Sequence, residues 1–113
     1  MQINLEQEML NFNKIPFVDQ DGEALTLRSV LTEHVGMYRA ESGSQAVKLW
    51  SLGSRISEAL GAIEVDAADV ALLKTALDRP VMAAVVVAQA INALAGPETE
   101  IVEDDTRIRR TRA

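Results

Sequence analysis

The sequence predicts a mainly α-helical fold with a small N-terminal β-hairpin, in which three to four helices form a bundle around a central apolar helix. Three observations predict it. In the stretch PVMAAVVVAQAINALA, Pro80 to Ala95, only Pro80, Gln89 and Asn92 interrupt a run of Val, Ala, Ile, Leu and Met. A helix that is apolar on nearly every face has to be covered by its neighbours. Upstream, apolar residues recur at spacings of three and four over three further stretches, the period of an amphipathic helix. Finally, only 4% of the residues are aromatic while 48% are hydrophobic, so the core is aliphatic, as in helices that approach closely.

Taken in order, residues 1–14 are ambiguous. Ile3 and Leu5 alternate with polar neighbours as in a short strand, whereas Met9, Leu10 and Phe12 fit neither period. A hairpin is expected over about 14–27. Asp21–Gly22 suits a two-residue turn, because glycine tolerates positive φ, and Ile15, Phe17 and Val18 face Leu25 and Leu27 across it. Thr26 is the expected N-cap of a helix over about 27–39 that carries Val30, Leu31, His34, Val35 and Tyr38 on one face. Gly36 weakens that helix or ends it early.

Ser44 is the expected cap of a helix over about 45–60, with Ala46, Leu49, Trp50, Gly53, Ile56 and Leu60 as its stripe. Ile63-Glu64-Val65 reads as an extended connector. Asp66 then caps a helix over about 67–78, with Asp69 at its third position and Val70, Leu73 and Leu77 inward. Pro80 can open the last helix, about 80–95, where its missing N–H costs nothing. One domain is expected over residues 1–96. The remainder, 97–113, has few apolar residues and reads as a flexible charged tail.

The formal net charge is −6. Residues 1–97 carry 12 acidic and 7 basic side chains, a balance that repels a nucleic-acid backbone. The only basic run is in the tail, where Arg107, Arg109, Arg110 and Arg112 follow an acidic block; it reads as a solvated end, a docking peptide for an acidic partner or a nucleic-acid arm. The N-terminus has neither the basic nor the apolar region of a signal peptide. The Pro80–Ala95 run is also too short to span a bilayer, so no membrane association is expected.

No catalytic, cofactor-binding or metal site is expected. There is no cysteine, and the single histidine, His34, reads as a helix residue at a domain edge. Ser51, Ser54 and Ser57 lack the context of a nucleophile. Asp66 and Asp69 are explained by capping, and the glycines form no phosphate loop. Trp50 and Tyr38 are the large amphipathic aromatics, fit either for the core or for an interface. Either the surrounding elements cover the last helix or another subunit does, which makes Val81, Val85, Trp50 and the tail the candidate contact residues.

Three segments together resemble small proteins encoded in tailed-phage and prophage morphogenesis clusters: DGEALTLRSVL, IEVDAADVALLKTALD and PVMAAVVVAQAINAL. They span about residues 15–95. The last helix departs from that pattern in being richer in Ala and Val and in lacking an aromatic. The resemblance implies a non-enzymatic accessory protein of head or tail assembly, with no catalytic residue or cofactor. Its partners would be other phage proteins or copies of itself, in the cytoplasm of a bacterial host or on the virion. The alternative is a small regulator, antitoxin-like or nucleic-acid-binding, that uses the arginine tail.

Overall fold

The computed structural model describes residues 1–95. Its elements are β1 (Gln2–Asn4), α1 (Leu27–Met37), α2 (Gly43–Glu58), β2 (Ala62–Glu64), α3 (Ala67–Leu77) and α4 (Ala84–Ala95). The fold is mainly helical, as expected.

The helices do surround a central one, but it is α1 and not the Pro80–Ala95 run. α1 packs against α2, α3 and α4, while α4 packs against α1 and α3. Leu27, Val30, Leu31, His34 and Val35 of α1 are all buried. Its N-terminus is closed twice over. Thr26 accepts from the Ser29 N–H, and the N–H groups of Leu27 and Arg28 donate to Gln7 O and Leu5 O. These are donors that a helix cannot satisfy internally.

α2 begins two residues earlier than expected. Ser42, not Ser44, caps it, accepting from the Gln45 N–H at 3.0 Å, and the Gln45 side chain reaches back to the Glu41 N–H. At the other end, α2 stops at Glu58 and its last carbonyls meet a side chain from α1. The Arg28 guanidinium donates to Ile56 O and Ala59 O, each at 2.6 Å, and to the Glu6 carboxylate. α1 and α2 cross closely at Gly53, where a Cβ would lie 3.1 Å from Val35 Cγ1.

Ile63 and Glu64, expected only to connect, form β2 with Ala62. It pairs antiparallel with β1 in the register Gln2↔Glu64, Ile3↔Ile63, Asn4↔Ala62. Ile3 and Ile63 are both buried. In α3 the capping box is complete: Asp66 accepts from the Asp69 N–H, and Asp69 from the Asp66 N–H.

The chain reverses around Gly22, at φ +81°, as a loop over residues 20–22 and not as the expected two-residue turn. The Asp19 N–H donates to Glu23 O, and Val18 bridges Ala24. The reversal belongs to a three-way arrangement, however. The Met9 N–H donates to Leu25 O, the Leu25 N–H to Phe17 O and the Phe17 N–H to Met9 O, at 2.8–2.9 Å. Each of the three segments therefore donates to one neighbour and accepts from the other. Three backbone N–H groups near the core are satisfied without a long ladder.

α4 starts at Ala84, not at Pro80. His34 Nε2 accepts from the Val81 N–H at 3.1 Å, and its Nδ1–H donates to Val30 O at 2.8 Å. The segment before α4 is thereby tied to α1. His34 is 1% exposed, so it is a core residue and not one at a domain edge.

Candidate functional site

Among the described residues expected to make contacts, Trp50 is the most exposed, at 74%. The inward stripe of α2 is Leu49, Leu52 and Ile56, which corrects the expectation that Trp50 and Leu60 point inward; Leu60 is 95% exposed. Two registers of three-and-four spacing share Leu49 and Ile56. The one that was realised places Leu52 inside and turns Trp50 outward.

Trp50 lies on the wall of a groove of about 400 Å³ between α1 and α2. Gly36, Ala40 and Ala46 keep the groove open, because their small side chains leave space along its walls unfilled, while Gly53 lets the two helices approach at its floor. Val35, Leu49 and Tyr38 add apolar surface, and Thr32, Ser54 and Ser57 bring hydroxyls. Among the described residues, no charged side chain lines it. Tyr38 is held from outside, with the Arg79 guanidinium 5.9 Å from its ring centroid.

Val85 and Val81 lie elsewhere. Val85 is half-buried beside a second groove, of about 490 Å³, between α4 and the 10–14 loop, where Phe12 is 89% exposed. Val81 is 46% exposed in the segment before α4. Contrary to the expectation of nearly complete coverage, α4 buries Val86, Val87, Ala90 and Leu94 but leaves Ala84, Ala88 and Ile91 exposed. The structure thus does not bring Trp50 together with Val81 and Val85. Arg107, Arg109, Arg110 and Arg112 lie outside the described residues.

Sequence reasoning missed Phe12 and the segment around it. Phe12 stands in a turn closed by Asn11, whose side chain accepts from the N–H groups of Asn13 and Ile15. The pattern Asn-x-Asn-Lys was the available signal, since asparagine side chains build such turns. Among the described residues, no three His, Cys, Asp or Glu side chains are grouped to hold a metal ion, and no helix is long and apolar enough to cross a membrane. No family model, no curated protein and no solved structure matches this chain.

Proposed function

We propose that this protein is a non-enzymatic binding module that receives an uncharged apolar segment of a partner protein in the groove between α1 and α2. The observation that carries the reading is the position of Trp50. The sole tryptophan is 74% exposed on the wall of a concave surface that no charged side chain among the described residues lines. Tryptophan and tyrosine at the centre of a desolvated patch are the residues that most often dominate binding energy. In the setting implied by the resemblance to morphogenesis-cluster proteins, the partner is another protein of head or tail assembly. The module then acts in the bacterial host or on the particle.

Trp50 is also the reporter for the test. The chain is titrated with each protein encoded beside its gene while tryptophan emission is followed on the partner's tryptophan-free variant. Binding in the groove shifts the emission to the blue, and Trp50→Ala weakens the complex at least tenfold, as expected for a hot spot. A complex that forms equally well with Trp50→Ala, or the lack of any complex, overturns the proposal.

A further inference from the structure

A third concave surface lies between the Asp21–Gly22 turn, α1 and the segment before α4. It has a volume of about 670 Å³. Its apolar part is Val18, Leu25 and Met82, and its charged part is Asp19, Asp21 and Glu33, with no basic residue among the described residues of the lining. Asp19 is occupied locally, accepting from the N–H groups of Asp21 and Glu23. Ion pairs among the described residues engage Glu6, Glu64 and Asp69 but none of these three acids. The surface thus combines three carboxylates without basic partners and an apolar floor, which suits a segment that alternates arginine with an aliphatic residue.

We propose that this acidic groove receives the chain's own segment 107–112, Arg-Ile-Arg-Arg-Thr-Arg. The complementarity is specific to that segment. Four arginines meet three carboxylates, and Ile108 meets Val18, Leu25 and Met82. The residues before it, Glu98, Glu100 and Glu103 to Asp105, carry the charge of the groove itself and are repelled from it. The reach is sufficient. Met82 stands just before α4 and Ala95 ends it, so the groove and the chain's exit are about 18 Å apart along the helix. The eleven residues 96–106 span up to roughly 36–40 Å when extended. The arginine run is thereby held by the protein's own acidic face, which competes with any phosphate backbone for it.

The absence of native cysteine gives a clean test in the full-length chain. Val18→Cys and Ile108→Cys are introduced together, the protein is mildly oxidised, and the linked species is identified by intact mass. A disulfide within one chain is expected. Its yield falls at least fivefold when Asp21→Lys and Glu33→Lys are added, and it recovers when Arg109→Glu and Arg110→Glu reverse the charges on the other side. The double-cysteine protein without further substitution also loses the link in 1 M salt, where the Debye length is about 3 Å, so the result does not depend on the lysine variant folding. A yield indifferent to charge reversal and salt overturns the proposal, and so does a link formed only between two chains.

Discussion

The side chain of Gln89 and the backbone of Leu10 hydrogen-bond in both directions. The Leu10 N–H donates to Gln89 Oε1 at 2.9 Å, and Gln89 Nε2 donates to Leu10 O at 2.7 Å. The carboxamide on α4 thus takes the place of a neighbouring strand and fastens the three-way backbone arrangement at Met9 to the helical layer. The same Nε2 also donates to Val85 O, one turn back on its own helix, which fixes the amide's orientation.

Gln89→Leu should therefore destabilise the fold by about 1–3 kcal/mol, the cost of leaving a partly buried donor and acceptor unpaired. Gln89→Glu should be informative in a different way. An ionised carboxylate still accepts from the Leu10 N–H but meets the Leu10 and Val85 carbonyls with no hydrogen to donate, whereas the neutral acid has one. The stability of Gln89→Glu relative to the parent should rise as pH falls through the carboxyl range. Urea unfolding of both proteins at several pH values checks the sign.

His34 plays the corresponding role between α1 and the segment before α4. Replacing it with Leu keeps an aliphatic group in the core but removes the acceptor of the Val81 N–H. A loss of about 1–3 kcal/mol is expected. The sharper readout is local: amide exchange at Val81 should accelerate in His34→Leu by more than at buried amides of α3. Uniform acceleration would mean that the histidine acts only through packing.

Much of the helical layer was legible because local chemistry and burial agree there. Thr26 and Asp66 are caps whose side chains reach the third residue on, and Leu73 and Leu77 lie inward as their spacing says. The reading failed where a distant group decided the outcome. Pro80 looks like a helix start, yet α4 begins only at Ala84, and the Val81 N–H finds its acceptor in His34, 47 positions away. Ser42 and Ser44 are equivalent as caps until Gln45 reaches back to Glu41. Trp50 looks like core because Leu49 and Ile56 belong equally to two stripes. The three-way arrangement at Met9, Phe17 and Leu25 carries only single-residue contacts, too short for any alternation to register. The grooves depend on what the small residues leave unfilled, and periodicity does not report that.

Arg28 joins three parts of the molecule: α1, the last turn of α2, and Glu6 beside β1. A positive group among the terminal carbonyls of a helix is favourable both as a donor and against the helix dipole. Arg28→Lys keeps the charge but loses the fork that reaches Ile56 O, Ala59 O and Glu6 together. It should cost about half of the roughly 1.5–3 kcal/mol expected for Arg28→Ala. Equal losses for the two variants in denaturant unfolding would show that geometry matters and charge does not.

Two helical glycines separate helix propensity from packing. Gly36 in α1 has nothing within 4 Å of a built Cβ, whereas at Gly53 in α2 the Cβ would meet Val35 Cγ1 at 3.1 Å. Alanine in an open helical position gains up to about 1 kcal/mol over glycine, so Gly36→Ala should raise the unfolding midpoint. At Gly53 the same gain is opposed by a β-branched side chain that is stiff at χ1 and cannot turn away freely. Gly53→Ala should consequently stabilise less than Gly36→Ala or lower the midpoint outright. Val35→Ala, made together with Gly53→Ala, should recover part of the difference by removing the obstructing methyl, giving a coupling of about 0.5 kcal/mol or more in a double-mutant cycle. Additive effects would place the α1–α2 crossing under less constraint than the 3.1 Å approach implies.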